Sequence, residues 1–74
     1  MISVLFFGRM ADVAGARRRD VAWPSGGLRL LALRDAALAG AEGVHMSINR
    51  QVVREDCDLA DGDEVAFFSV FSGG

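Results

Sequence analysis

Lysine is absent: the eight basic residues of this 74-residue chain are all arginine. Schiff-base chemistry on a lysine is thereby excluded, and the amino terminus is the only primary amine. Genomic base composition alone can produce such a bias, alongside the abundant Ala, Arg and Gly. One cysteine, Cys57, permits no internal disulfide and implies no oxidising compartment. Flanked by Asp56 and Asp58, it reads as an ordinary loop thiol, because neighbouring carboxylates disfavour the reactive thiolate. The one histidine, His45, has no second ligand-type cluster near it, which argues against a zinc site or a catalytic triad. No apolar run approaches the roughly 20 residues of a membrane helix. The opening "MISVLFFGR" has neither a basic region before its apolar stretch nor a small-residue cleavage site after it, so it is not read as a signal peptide. A cytoplasmic protein is expected. The net charge of -2 lacks the positive field that nucleic acid requires, so neither nucleic acid nor membrane is expected as a partner. "GARRRD" and "SGGLR" contain glycine without the pattern of a phosphate loop, and no paired-carboxylate or metal-ligand spacing occurs. An enzyme acting alone is hard to find here.

What is present is apolar: 51% of the residues are hydrophobic, enough for one folded domain near the lower size limit. "ISVLFF", Ile2 to Phe7, predicts a strand apolar on both faces, hence central and covered on both sides. "RMADVAG" fits one or two helical turns closed by Gly15. "RRRDVAW" resumes an extended run that Pro24 ends; Arg17, Arg18 and Arg19 read as a solvated strand edge, with a site for an acidic partner as the alternative. "LRLLALRDAALAG" predicts the main helix, Leu28 to Ala39, stopped by Gly40. Leu30, Leu33 and Ala37 form its inward stripe, and Leu28 and Leu31 lie off it. "VHMSINR" alternates as a third strand, Asn49 begins a turn, and Gln51 to Val53 is a short strand. Asp61-Gly62 is a turn that launches the last strand, Glu64 to Val70. Together these predict an α+β fold with a mixed four- to five-stranded sheet on one main helix. One helix covers one face only, so a last strand apolar on both faces points to a partner outside the chain. Alternation sets Val65 and Phe67 on one face of that strand and Ala66 and Phe68 on the other.

The chain closes on "FSGG". Two glycines can thread a slot too narrow for other residues. Phe71 to Gly74, fully extended, spans about 13 Å at roughly 3.3 Å per residue. The terminal carboxylate is ionised at neutral pH and inert toward nucleophiles, but an acyl-adenylate made from it is a good electrophile. Read alone, the same residues also fit an end with no function.

Four pieces, "VLFFGRMADVAG", the helix after a Pro-containing loop, "INRQVV" and "LADGDEVAFF…SGG", resemble the small sulfur-carrier subunits of molybdopterin synthase over nearly the whole chain. This is the MoaD/ThiS-type family of ubiquitin-like β-grasp proteins. The resemblance implies a β-grasp domain with a mixed sheet over 1–70 and a flexible tail over 71–74, and by analogy with ubiquitin it puts Val65 and Phe67 under the helix, with Ala66 and Phe68 facing away. It implies that an E1-like enzyme, using ATP, adenylates Gly74, which is then converted to a thiocarboxylate with sulfur supplied indirectly by a donor enzyme. Gly73 is then the slim neighbour that lets the tail thread both partners' sites. The thiocarboxylate passes sulfur to a cyclic pyranopterin precursor held by the large catalytic subunit of molybdopterin synthase. On this reading the chain binds no cofactor and is a sulfur donor rather than a catalyst, and Phe68, Phe71 and Ser72 meet the partner. Three departures stand out. Ser69 and Val70 replace the family's usual Pro-Pro, Phe71 replaces a smaller aliphatic residue, and "SINR" replaces Ala-Val-Asn-Gln. Two alternatives remain open: a carrier feeding thiamine, cysteine or another sulfur pathway, and a ubiquitin-like interaction module whose tail is idle or forms an isopeptide.

Overall fold

The computed structural model describes residues 1–69; Val70, Phe71, Ser72, Gly73 and Gly74 lie outside the described residues. The elements in chain order are β1 (Ile2–Phe6), α1 (Arg9–Ala14), β2 (Arg18–Val21), α2 (Leu30–Ala37), β3 (His45–Ile48), β4 (Gln51–Val53) and β5 (Glu64–Phe68). The strands form one five-stranded sheet in the order β2-β1-β5-β3-β4. β1 runs parallel to β5 and antiparallel to β2, while β3 is antiparallel to both β4 and β5. The sheet is therefore mixed, with α2 as its main helix: the β-grasp arrangement.

The period-two pattern decides what the sheet buries. Ile2, Val4 and Phe6 alternate inward on β1, as do Val65 and Phe67 on β5. Leu30 and Leu33 of α2 pack onto them, and Met10 of α1 and Leu59 close the margins of the same cluster. Phe6 and Phe67 stack with ring centroids 5.9 Å apart, joining the parallel pair at its centre. The expectation for Val65 and Phe67 under the helix holds.

β1 differs from its expectation. It is the second strand and not the central one, a place taken by β5, which has β1 on one side and β3 on the other. Nor do the described residues cover its second face: Leu5 is half-buried, and Phe7, just past the strand end, is 53% exposed. Hydrophobic runs mark strands buried on both faces only when the chain itself has a second layer to supply.

α2 is shorter at both ends than the expected Leu28 to Ala39. Its first residues are drawn into the loop at 54–60: the Leu59 N–H donates to the Leu28 carbonyl and the Leu30 N–H to the Cys57 carbonyl, both at 2.9 Å. Arg29 is extended and bridges Asp58 as an isolated β pair. At the other end Leu38 leaves the helical region and turns inward to become buried, two residues before Gly40. Leu28, Leu31 and Ala37 are partly buried against the core. The short helix α1 closes as expected, on a left-handed Gly15 whose N–H donates to the Ala11 carbonyl.

Helix α2 has no capping side chain of its own at its start. Asp56 supplies one from the loop: one carboxylate oxygen accepts the Leu31 N–H at 3.0 Å, and the other accepts Arg29 Nε at 2.8 Å. Arg29 Nη1 also reaches Asp58 at 3.1 Å. The backbone bond from Leu31, followed by the Arg29 side-chain bond, holds the Asp56 carboxyl below the usual carboxylate range. Asp56 in turn holds the Arg29 guanidinium above its ordinary value.

Candidate docking face and tail exit

The sheet face opposite α2 can be read row by row from the register. One row runs Arg18, Leu5, Ala66, Ser47 and Val52 across all five strands. At its centre the small side chains of Ala66 and Ser47 are each 9% exposed, shaded by larger neighbours, while Val52 at the edge is 61% exposed. The adjacent row holds Phe68 opposite His45, whose rings stack at 5.9 Å. Phe7 continues this row, and its N–H donates to the Phe67 carbonyl at 3.0 Å. On the other side of the central row lie Asp20, Ser3 and Glu64. The open face is thus divided: apolar toward the C-terminal end of β5, polar toward its start.

The polar end is closed by hydrogen bonds between two of the quoted motifs. Asn49, from "INRQVV", donates through Nδ2 to Asp63 at 3.0 Å and accepts the Glu64 N–H at 3.0 Å. The Asn49 N–H donates to the Glu64 carbonyl at 2.7 Å. Asp63, from "LADGDEV", also accepts the Ala60 N–H at 2.8 Å. These residues therefore fix the start of β5 against the β3–β4 turn. Asn49 and Arg50 both have positive φ, 50° and 72°, and form the two-residue hairpin turn that the sequence predicted at Asn49.

Of the sequence-predicted site residues, Phe68 falls within the described structure. It is the last residue of β5, half-buried, and on the open face as expected. Its neighbour Ala66 also faces away from α2, though it is nearly covered. Phe71, Ser72, Gly73 and Gly74 lie outside the described residues. Partner-facing candidates that the sequence reading did not single out are Leu5, Phe7 and Val52. Period-two alternation places all three on the Phe68 side once the register is known, but the register is set by pairings up to 61 residues apart in sequence. Cys57 is a free thiol in the loop. Among the described residues no group of three or more His, Cys, Asp or Glu side chains could hold a metal ion, and no helix is long and apolar enough to cross a membrane.

A model described as the ThiS family matches residues 4–74. The molybdopterin synthase sulfur carrier subunit of Escherichia coli (strain K12) is 37% identical over 87 aligned residues, spanning 100% of both chains. The crystal structure of SAMP1 from Haloferax volcanii superposes with a TM-score of 0.66 at 27% identity, covering 99% of this chain and 98% of that one. A crystal structure of small archaeal modifier protein 1 from H. volcanii gives a TM-score of 0.65 at 24% identity, over 92% and 94% of the two chains, a likeness of fold alone. With its β-grasp sheet and a family match through residue 74, the chain belongs to the ThiS family.

Proposed function

We propose that this protein is the sulfur carrier of a molybdopterin synthase. The observation that carries the reading is the full-length relationship to a protein of that name, with a family match that includes the closing glycines. The geometry agrees with it. β5 is the central strand, hydrogen-bonded to β1 on one side and to β3 on the other. β5 ends at Phe68 in the apolar half of the open face, where Phe68, Phe7, Leu5 and Val52 can bind a protein surface while the closing glycines reach its active site.

The chemistry runs through Gly74. Its carboxylate attacks the α-phosphorus of ATP on an E1-like partner, forming an acyl-adenylate and releasing pyrophosphate. Sulfide (HS⁻) supplied through a donor enzyme then attacks the acyl carbon, displaces AMP and leaves a thiocarboxylate. In the large catalytic subunit that sulfur attacks a carbon of the cyclic pyranopterin precursor and displaces an oxygen leaving group, and water then cleaves the acyl–sulfur bond, leaving sulfur on the product and returning the glycine to a carboxylate. The carrier holds sulfur as an acyl-bound anion and catalyses no step itself. Gly73 keeps the thread narrow, and Phe71 and Ser72 line the partner's channel.

The archaeal modifier proteins favour one further reading, in which the Gly74 carboxyl is joined to an amine of a target protein. Complementation distinguishes these routes. Expression in a cell lacking its own molybdopterin synthase carrier should restore molybdopterin, and expression in a thiamine-carrier mutant should not restore thiamine. Restoration of thiamine alone, or of neither with new higher-mass conjugates, would overturn the assignment.

A further inference from the structure

On the helix-facing side of the sheet lies a feature that neither the tail nor the open face uses. The outer edge of β2 is unpaired among the described residues. The Phe6 N–H donates to the Arg17 carbonyl at 2.9 Å, so by antiparallel alternation Arg19 and Val21 also turn their backbone groups toward β1. The N–H and C=O groups of Arg18 and Asp20 therefore point outward. Beside this edge, between β2 and α2, runs a groove of about 120 Å³. Val4 and Phe6 floor it, Leu33 and Ala37 wall it, and it exists because α2 presents alanines, 36 and 37, where larger residues would close the gap against Val21.

The charge at this edge is lopsided. Arg18 is paired with Asp20 at 3.3 Å, whereas Arg17 and Arg19 have no carboxylate partner among the described residues. Arg19 is nevertheless held in place. Its Nη2 donates to the Ala14 carbonyl at 3.2 Å, and its guanidinium carbon stands 6.0 Å over the Phe6 ring. A fixed cation thus sits beside an apolar slot, alongside a backbone edge with free donors and acceptors.

We propose that the β2 edge is a second docking site, which takes an extended peptide segment of a partner, apolar in its middle and acidic at its flanks, as a sixth strand of the sheet. Its backbone would pair with Arg18 and Asp20. Alternate side chains would then enter the groove at Val21, Leu33 and Ala37, and its carboxylates would meet Arg17 and Arg19. The same arginines deter a second copy of this chain, whose own β2 would bring a matching basic strip to the pairing.

The test is an NMR titration of the full chain with a synthetic peptide of alternating Val and Ile flanked on both sides by aspartates. Saturable shifts are expected at the Arg18 and Asp20 amides and at the Val21, Leu33 and Ala36 methyls. Arg17→Glu and Arg19→Glu together, or asparagines in place of the peptide's aspartates, should weaken binding about tenfold or more. Arg19→Gln provides a milder variant if the double reversal does not fold. Asp20→Pro removes an outward N–H that β1 does not use, so it should preserve the native spectrum and abolish binding. Shifts concentrated at Ala66, Phe68 and Val52, full affinity in the folded Asp20→Pro variant, or no shifts at about 1 mM peptide would each overturn the proposal.

Discussion

Phe67 stacks on Phe6 with no surface left exposed, so Phe67→Ala should remove about 3–5 kcal/mol of stability, read as a lower denaturant midpoint. Phe68 is the next residue and lies on the other face, against His45. Phe68→Ala should leave the midpoint nearly unchanged and instead raise the dissociation constant for the large catalytic subunit, measured by calorimetry. Equal destabilisation by the two substitutions would contradict the division of β5 into a core side and a docking side. That division was legible from alternation, which separates the two faces of a short regular strand, together with the ubiquitin-like resemblance, which says which face lies under the helix. The near-complete burial of Ala66 was not, since it depends on neighbours that come from the two flanking strands, β1 and β3. At Arg50 the backbone is left-handed, with φ 72°, in a residue that gains nothing from that conformation. Arg50→Gly restores the preferred Asn-Gly turn and should add about 0.5–1 kcal/mol of stability in the same measurement. A loss of stability would show that the arginine side chain contributes more than its backbone costs.

At the scale of the elements, helix α2 depends on a carboxylate that comes from elsewhere. Asp56 accepts the Leu31 N–H and binds Arg29, so Asp56→Ala should lower the Tm by several degrees although it lies outside every helix and strand. Its folded-state pKa is depressed, so its contribution is fully present above the unfolded carboxylate value of about 3.9. The contribution fades as pH falls through the lower folded value. Wild type should therefore exceed Asp56→Ala in Tm at pH 7, and the gap should shrink below pH 4. A gap independent of pH would assign the effect to packing rather than to charge. This long-range cap also explains why the expected boundaries of α2 were too wide. Helical periodicity in "LRLLALRDAALAG" is a local signal, whereas the bonds that pull Leu28 and Arg29 out of the helix come from 54–60. By contrast α1, the β3–β4 hairpin and the Gly62 turn were legible, because each is decided by residues within it.

For the whole molecule, counting layers gave one main helix on one face of a sheet and an apolar second face with nothing in the described chain to cover it, while the β-grasp arrangement itself was legible through the family resemblance. The order of the strands was less accessible, since the parallel β1–β5 pair joins the two ends of the described structure and leaves no local mark. The closing glycines raised a question that composition could not answer, and the carrier reading proposed for them rests on the family relationship. On that proposal the folded body has two duties, to present a docking face and to anchor β5, the strand that precedes the closing residues. Deleting Gly74 should leave the Tm unchanged. The most direct measurement is the intact mass of the full chain after incubation with an E1-like enzyme, ATP and a sulfur-donating enzyme, beside the same chain without Gly74. A sulfur carrier should gain about 16 Da, sulfur replacing oxygen, and the shortened chain should gain nothing. An unchanged mass for the full chain, under conditions that charge a control carrier, would contradict sulfur carriage.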